Sequence, residues 1–311
     1  MTSATATPTP RTSSPDVARS RLPKFLTGWS LAALIFIAPA VLLLGVFMVY
    51  PAIQTILLSF ENGADNYVQL ITADPRFIRF SFPPSGALWN NILWLIFYTG
   101  GCIVIGLLVA VMATRVSYEK YIKAIVFLPM AIASTALAVI WRFVYSPDAD
   151  TGLINAGLGV IGVDPISWLG SASWVNTAII LAGIWGSAGF AVVILSAALK
   201  GISSEILEAA RMDGATEAQI FRRIIVPMLS LPISVIAVTL TINVVKLFDL
   251  VYVMTEGGPG NASNVIAVQM YQQFSARNFD YSATVAVVML IILIPVMVFN
   301  IRRFRSERVV A

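Results

Sequence analysis

Long apolar stretches separated by short polar segments dominate the pattern of the chain. Each stretch has about 20 residues, the length that an α-helix needs to cross the roughly 30 Å hydrocarbon core of a bilayer. The pattern predicts an all-α membrane protein, a polytopic bundle of six transmembrane helices. The predicted spans cover residues 30–50, 89–113, 124–145, 174–198, 227–250 and 282–301.

The segments outside the spans are more polar. Residues 1–29 begin with a stretch rich in Thr, Ser, Pro and Ala, which predicts a disordered cytoplasmic tail because it buries too little apolar surface to offset ordering. A cleaved signal peptide is the alternative, but the run from Leu31 to Tyr50 is long enough to span and lacks a convincing cleavage site. Residues 30–301 therefore form the membrane domain, and residues 302–311 a basic cytoplasmic tail.

Basic residues are unevenly distributed between the two sides of these spans. Fifteen of the 20 Lys and Arg residues lie on the side of the two termini, and Lys246 lies near the other end of the fifth span. Basic residues near span ends are retained in the cytoplasm, so both termini are predicted to be cytoplasmic. The four on the opposite side are Arg76, Arg79, Arg142 and Arg277.

Composition agrees with this class and narrows the chemistry. The chain has 311 residues, of which 58% are apolar and 12% charged, whereas soluble domains are about one quarter charged. The net charge of +4 follows from topology, since no basic run suggests nucleic-acid binding. The single cysteine, Cys102, excludes a disulfide framework and leaves the redox compartment open.

Several kinds of catalytic site are excluded by missing residues. The chain has no histidine, which removes Ser-His-Asp and Cys-His nucleophile systems, HExxH zinc sites and haem ligation. It also has no Gly-Lys dipeptide, and hence no phosphate-binding loop of the GxxxxGK[ST] type. We therefore predict no enzyme activity, no metal and no cofactor in this chain.

Prolines and glycines interrupt several of the predicted spans. Ordinary kinks and close helix packing are one interpretation, and kinks that let the bundle rock between two states are the other. The prolines are Pro129, Pro227, Pro232 and Pro295, and the glycines of the second span are Gly100, Gly101 and Gly106.

The polar segment between the fourth and fifth spans, residues 200–226, predicts two short helices. Ser203 or Ser204 can cap the first, and Glu205 favours its first turn. Asp213 and Gly214 end it, because glycine readily adopts the left-handed conformation that closes a helix. A capping box formed by Thr216 and Gln219 predicts the start of the second helix.

Within this loop lies a motif that resembles a known family. The order Glu208-Ala209-Ala210, three residues, Gly214, nine residues, Ile224, and Pro227 three positions later resembles the EAA loop of ABC import permeases, with Val226 in place of the usual leucine. The resemblance implies a coupling helix that docks into a cleft of an ATPase subunit. An ordinary amphipathic loop is the alternative. The implied coupling residues are Glu205, Glu208, Ala209, Ala210, Asp213, Gly214, Ile224 and Pro227.

Three further stretches widen the resemblance to nearly the whole chain after residue 30. LWNNILWLIFYT, VFLPMAIASTALAVIWRFVYSPDADTGLINAGL and LFDLVYVMTEGGPGNAS resemble the carbohydrate-importing branch, in particular six-span relatives of the maltose permease pair and alpha-glucoside permeases. This implies a sugar or oligosaccharide cargo and a bacterial inner-membrane location. The implied partners are a second homologous permease, an ATPase dimer that holds ATP and Mg, a solute-binding protein outside, and membrane lipid.

Polar residues in the fifth span suggest a path for the cargo. Thr239, Asn243 and Lys246 share one helical face, and Asp249 follows one turn later. Lys246 has two alternative roles besides lining the path: its side chain can extend to the outer interface, or it can pair with Asp249. Weaker candidates are Asn90, Asn91, Asn176, Thr177, Trp185 and Phe190, and Gly257-Gly258-Pro259-Gly260 is read as a structural outer loop.

Two other cargo classes and one other mechanism stay open. The permease of an importer for another polyol, or for a glycerophosphodiester, would fit the same motif. An ion-coupled secondary transporter would be expected to show repeated halves and buried carboxylates. Here Asp249 is the only acidic residue within a predicted span.

Overall fold

The structure is a computed structural model that describes residues 31–79, 85–114, 116–148 and 150–307. The predicted tail 1–29 lies outside these residues, as do the last four residues of the predicted tail 302–311. Within the described part the elements are helical, apart from an isolated bridge between Arg79 and Ser85. The prediction of an all-α chain is confirmed for these residues.

The helices follow one another with short connections. They are α1 (Leu31–Leu44), α2 (Tyr50–Ser59), α3 (Asp65–Thr72), α4 (Ala87–Leu93), α5 (Thr99–Ala113), α6 (Glu119–Phe127), α7 (Ser134–Val144), α8 (Leu153–Val160), α9 (Val175–Lys200), α10 (Ser204–Met212), α11 (Glu217–Ile220), α12 (Val226–Met228), α13 (Ser230–Val245), α14 (Asp249–Thr255), α15 (Ile266–Ser275) and α16 (Phe279–Glu307). Short π-helical turns join α1 to α2, α4 to α5 and α11 to α12, and a 3-10 turn, Leu128–Ala131, follows α6.

Membrane-spanning capacity is clearest for three continuous helices. Phe36–Ser59, Ala87–Ala113 and Val175–Lys200 are long and apolar enough to cross a bilayer, judged over the described residues. Two bent helix pairs raise the number to as many as five, and Phe279–Pro295 is a shorter apolar helix. At least three apolar helices are therefore present where spans were predicted, and the full set of six stays a prediction.

The bends fall after two of the prolines singled out above. The pair Glu119–Ala131 and Ser134–Val144 is bent by 102°, and Pro129 lies in the last turn before the break. The pair Glu217–Met228 and Ser230–Val245 is bent by 65°, and Pro227 lies just before that break. A proline lacks the amide N–H that bonds to the carbonyl four residues earlier. Pro232, in the first turn of α13, therefore leaves the Met228 carbonyl without that partner, which explains the second break.

Chain contacts divide the protein into two units, residues 1–53 and 54–311. In the first, α1 continues through a π-helical turn into the start of α2, with exposed side chains from residue 36 onward. In the second, α5 and α9 pack along their length and bury a core that includes Trp94, Ile179 and Leu195.

Small residues explain how closely α5 and α9 pack. A Cβ atom added at Gly106 would lie 2.5 Å from the Cβ of Ala191, so the two backbones almost touch there. A Cβ at Gly101 would meet only the flexible end of Ile184, and one at Gly100 would meet nothing within 4 Å. Close approach is thus confirmed for Gly106, and Gly100 lies in open space.

Helices α4–α5 and α9 define two ends of the second unit. We call the end with Thr114 and Lys200 the Glu208 end, because the polar loop adjoins it. The opposite end, with Asn90 and Asn176, is the Asn90 end. Helix α9 has 26 residues, so the two ends lie about 39 Å apart along its axis.

Candidate functional site

The first helix of the polar loop, α10, begins and ends as its residues dictate. The side chain of Ser203 caps it by accepting a hydrogen bond from the backbone N–H of Glu205, at 3.2 Å. This decides between the two serines that were candidates for the cap. Gly214 follows with φ of +80°, a left-handed conformation that glycine adopts at no steric cost.

The second helix, α11, starts with the predicted capping box. The Thr216 hydroxyl accepts from the backbone N–H of Gln219, and the Gln219 side chain accepts from the backbone N–H of Thr216, at 2.8 Å. Two donors at the helix start are thereby satisfied. Because both helix starts and the intervening turn are fixed, the loop has a defined shape.

Helix α10 presents two different faces. Leu207 and Arg211, one turn apart, line a cavity of about 360 Å³ between the loop and the spans. Glu205, Glu208 and Met212 are exposed, and Met212 has 88% of its surface accessible. A free face with carboxylates and an apolar side chain is suited to binding another protein.

The other residues of the predicted coupling set also lie in the loop or at its end. Ala209 is exposed and Ala210 half-buried on α10, where Asp213 forms the C-cap. Ile224 is half-buried in the π-helical turn, and Pro227 is exposed just before the break. The structure places these residues in one segment, and none of them reaches the other end of the unit.

Ion pairs join the loop to its surroundings. Within the loop, Arg211 Nε donates to Glu217 at 2.8 Å, and this bond holds the pKa of the guanidinium above its ordinary value. At the foot of the spans, Lys200 Nζ lies 3.1 Å from a carboxylate oxygen of Glu119, which also pairs with Lys123. The start of α6 is therefore bonded to the end of α9 beside the loop.

Near the middle of the bundle lies a second feature, which we call the central cavity. Its volume is about 370 Å³, and its wall includes Asn243, Lys246 and Asp249, three of the four residues predicted for the path. Tyr98 and Ser187 also lie in the wall, where the phenol donates to the serine hydroxyl at 2.9 Å. The break between α13 and α14 brings Lys246 and Asp249 to the same cavity.

Trp94 also borders this cavity and carries a buried polar group. Its side chain is 1% exposed, and its indole N–H has no hydrogen-bond partner among the described residues. A buried donor without a partner costs about 1–3 kcal/mol.

Thr239 differs from the other predicted path residues. It is half-buried, and its hydroxyl donates to the carbonyl of Val235 at 2.9 Å, so it is not among the residues of the cavity wall. Lys246 is exposed. One alternative for Lys246 was an ion pair with Asp249. Within the described part of the chain no such ion pair is present.

Two of the asparagines considered as weak path candidates, Asn90 and Asn176, instead hold the loop after α14. Asn90 donates to the carbonyls of Ala262 and Asn264, at 2.9 and 2.7 Å. Asn176 donates to Asn90 Oδ1 at 3.1 Å and to Ala262. The stretch that directly follows the glycine-rich segment is therefore held in place by these two side chains.

A third asparagine, Asn91, is only 7% exposed and bonds to neighbouring segments. It donates to the carbonyl of Val244 and accepts from the backbone N–H of Ile266, both at 2.9 Å. The N–H of Ile266 is the first of α15 and has no partner within the helix. Asn91 thus joins the end of α13 to the start of α15.

No group of three or more His, Cys, Asp or Glu side chains that would hold a metal is present among the described residues.

Comparison with known proteins gives consistent results. The family profile described as "Binding-protein-dependent transport system inner membrane component" matches residues 102–309. An osmoprotective compounds uptake permease protein of Synechocystis sp. is 40% identical over 88% of this chain and 98% of its own. An alpha-glucoside transport system permease protein of Rhizobium meliloti is 38% identical over 88% and 82%.

A more distant relative and a solved structure extend these likenesses. A lactose transport system permease protein of Rhizobium radiobacter is 30% identical over 93% of this chain and 97% of its own. A bacterial ABC transporter involved in the import of the acidic polysaccharide alginate has a TM-score of 0.74 and 23% identity over 88% of this chain and 94% of its own. At that identity the structure is similar in fold.

Proposed function

This chain belongs to the family of binding-protein-dependent transport system inner membrane components, and we propose that it is the permease subunit through which an ATP-driven ABC importer carries a sugar or oligosaccharide. Relatives named for alpha-glucoside and lactose transport support the cargo class. The names of one relative from Pyrococcus horikoshii and one from Bacillus subtilis do not specify a substrate. The chain is a transport component, and its cargo within the sugar class is open, with alpha-glucosides favoured.

The free face of α10 is the observation that carries the coupling part of this proposal. Glu208 is exposed on a helix that is capped at its start by Ser203 and ended by Gly214. On its opposite side, Leu207 and Arg211 line the cavity between the loop and the apolar helices, and Arg211 bonds to Glu217 at the start of α11. A helix so held can transmit a push from a docked ATPase subunit to the bundle.

The orientation and the partners follow from the same proposal. The basic residues predict that the Glu208 end, with both termini, is cytoplasmic, and the apolar stretches predict that six helices span the membrane. The ATPase dimer, with ATP and Mg, docks at that end, and a second permease completes the path. A solute-binding protein delivers the sugar at the Asn90 end; one solved relative in fold was crystallised with an alginate pentasaccharide-bound periplasmic protein.

The central cavity suits a sugar in this mechanism. Asn243, Lys246 and Asp249 supply donors and acceptors. A sugar carries hydroxyl groups that both donate and accept, so it can satisfy such a set. ATP-driven docking then shifts the balance between inward and outward states, with no covalent chemistry in this chain.

A charge reversal at Glu208 tests the coupling. With Glu208→Lys we expect the ATPase subunit to fail to co-purify, or its hydrolysis to be uncoupled from sugar uptake in proteoliposomes. Glu61→Lys, the same charge change at an exposed position outside the loop, is the matched control and should keep normal uptake. Normal uptake by Glu208→Lys would remove the coupling assignment.

The energy source distinguishes the proposal from an ion-coupled transporter. Vesicles that contain the permease pair, the ATPase and the binding protein should take up maltose or trehalose only with ATP. Uptake that continued without the ATPase, driven by a proton or sodium gradient alone, would favour the secondary transporter. A panel with glycerophosphodiesters and simple polyols would distinguish the remaining cargo classes.

A further inference from the structure

A separate cavity lies at the Asn90 end, where α7 ends and the chain turns toward α8. Its volume is about 710 Å³, within the range of about 300–1,000 Å³ typical of small-molecule sites. We call it the Trp168 cavity. Its polar and aromatic wall residues are Arg142, Phe143, Tyr145, Ser146, Thr151, Ser167 and Trp168.

The Trp168 cavity is distinct from the central cavity. The two share no wall residue. Both border α7, where Ser134 and Leu137 face the central cavity while Val139 and Arg142 lie at the Trp168 cavity. At 100° per residue these two pairs fall on roughly opposite sides of the helix, so a ligand in one cavity does not occupy the other.

One fully buried amide, Asn155, holds two parts of this wall. Its Nδ2 donates to the carbonyls of Ser146 and Ile166, at 2.8 and 3.0 Å. Its Oδ1 accepts from the backbone N–H of Ile166 at 3.0 Å and from Trp168 Nε1 at 3.2 Å. The amide uses both donors and both acceptor positions, so the Ser146 turn and the Trp168 ring are fixed relative to each other.

A close backbone approach makes the same wall more rigid. A Cβ atom at Gly152 would lie 2.1 Å from the carbonyl oxygen of Ser146. Only glycine allows the chain to turn this tightly before α8. The wall is therefore shaped in the absence of any ligand, which lowers the ordering cost of binding.

The chemistry of the wall matches a saccharide. The N–H of Trp168 is already used by Asn155, so the half-buried ring offers its carbon surface, and it lies against Tyr145 and Trp174 with centroids 5.9 and 5.4 Å apart. Aromatic faces carry negative potential, which attracts the polarised C–H groups on the flat face of a pyranose.

Hydroxyl groups and one cation surround this aromatic surface. Ser146 and Thr151 hydrogen-bond to each other at 2.9 Å, and Ser167 is exposed beside them. Arg142 donates to the carbonyl of Val253 and carries further N–H donors. A guanidinium in the wall, with no acidic residue among the wall residues described, disfavours a cationic ligand such as a quaternary ammonium compound.

We propose that the Trp168 cavity is a second saccharide-binding site, which holds a pyranose ring against Trp168 and uses Asn155 as its positioning residue. The choice of a sugar as ligand rests on the proposed function. At the Asn90 end the site holds sugar outside the central cavity, so it raises the local sugar concentration before transport. Loss of the site should raise the half-saturating sugar concentration and leave the maximal rate unchanged.

Binding is tested on the assembled importer in nanodiscs, without binding protein, by saturation-transfer difference NMR with maltose and trehalose. Trp168→Ala should weaken binding at this site at least tenfold. Trp168→Phe keeps a ring and should bind within about threefold of wild type, which guards against a folding defect. Trp185→Ala is the matched control, because Trp185 is a half-exposed tryptophan outside both cavity walls.

Asn155→Asp tests the positioning role. It keeps the size of the side chain but loses the donors to Ser146 and Ile166, so the wall should loosen and binding should weaken, while Lys246→Ala in the central cavity leaves this signal in place. Because the central cavity also binds sugar in the proposed function, the decisive quantity is the part of the maltose signal that depends on Trp168. Unchanged maltose affinity in Trp168→Ala, or loss of the Trp168-dependent part of the signal in Lys246→Ala, would overturn the proposal. So would displacement of maltose by glycine betaine, or a cavity that holds only lipid.

Uptake by the wild-type importer separates this inference from the proposed function. If sugar is transported but binding is insensitive to Trp168, the second site is wrong and the function stands. If maltose binds at Trp168 but is not carried, the site stands and the transport assignment is wrong.

Discussion

The contact between α5 and α9 allows a stability prediction with an internal control. Replacing Gly106 by alanine places a Cβ atom 2.5 Å from the Cβ of Ala191 and 3.1 Å from its backbone carbonyl carbon. Carbon atoms prefer about 3.5–4.0 Å, so the helices must separate by about 1 Å. Neither partner is the end of a flexible side chain, and the strain therefore cannot be relieved by a rotamer change.

Gly100→Ala is the matched control for this change. The two glycines lie in the same helix, and alanine raises helix propensity by up to about 1 kcal/mol at either position. A Cβ atom at Gly100 meets nothing within 4 Å. The difference between the two variants therefore isolates packing, which we expect to cost about 1–3 kcal/mol at Gly106.

The protein carries its own reporter for this measurement. Cys102 is the only cysteine and is fully buried in α5, so a thiol-reactive dye should label it only as the bundle unfolds. At about 2–4 °C per kcal/mol, the labelling midpoint of Gly106→Ala should lie roughly 2–12 °C below that of Gly100→Ala. Equal midpoints would refute the close approach of α5 and α9.

Three further changes address the loops and the foot of the spans. Asn91→Leu leaves the buried N–H of Ile266 without an acceptor, and the same labelling midpoint should report a loss of about 1–3 kcal/mol; an unchanged midpoint would contradict this hydrogen bond. Thr216→Ala removes the capping box and should cost about 1 kcal/mol, seen as faster amide exchange in α11 and contradicted by unaltered protection. Alanine at Glu119, at Lys200 and at both forms a double-mutant cycle, in which we expect a coupling of about 0.2–1 kcal/mol that falls as salt rises, whereas coupling independent of salt would speak against the ion pair.

Local features of the loop were predictable from sequence because they depend on neighbouring residues. The capping box of Thr216 and Gln219 and the helix end at Gly214 need only a few positions of chain. The apolar helices were also predictable, because the length and composition of a continuous stretch of sequence determine whether it can form a membrane-spanning helix. Kinks were one interpretation of four prolines, Pro129, Pro227, Pro232 and Pro295. Breaks lie near the first three, whereas Pro295 lies inside the continuous helix α16. The angles depend on packing and could not be predicted.

Features formed by distant segments were harder to predict. A helical face predicted Thr239, Asn243 and Lys246 together, but the cavity also depends on helices that supply Trp94 and Tyr98, and Thr239 bonds to its own helix instead. The adjacent amides at 90 and 91 suggested a path because they lie in a span. Their backbone partners are more than 150 residues away in sequence, and no local pattern reveals such a pairing.

Similar reasoning applies to Asn155, which the sequence analysis missed. Its role depends on the tight turn at Gly152 and on the indole of Trp168. The only local signal was an asparagine in an apolar helix beginning just after a glycine. That signal is common, so sequence alone does not single it out.

One segment connects the coupling loop with the central cavity. Glu119, at the start of α6, pairs with Lys200, and the 3-10 turn that continues α6 places Met130 in the cavity wall. If this segment carries the coupling, thermodynamic linkage requires that it act in both directions: the factor by which ATPase docking changes the affinity for sugar equals the factor by which sugar changes docking. Couplings of this kind are typically about 1–3 kcal/mol, or about 5–150-fold. The sugar affinity of the isolated permease pair, compared with that of the full assembly, would therefore give the coupling energy without any measurement of motion.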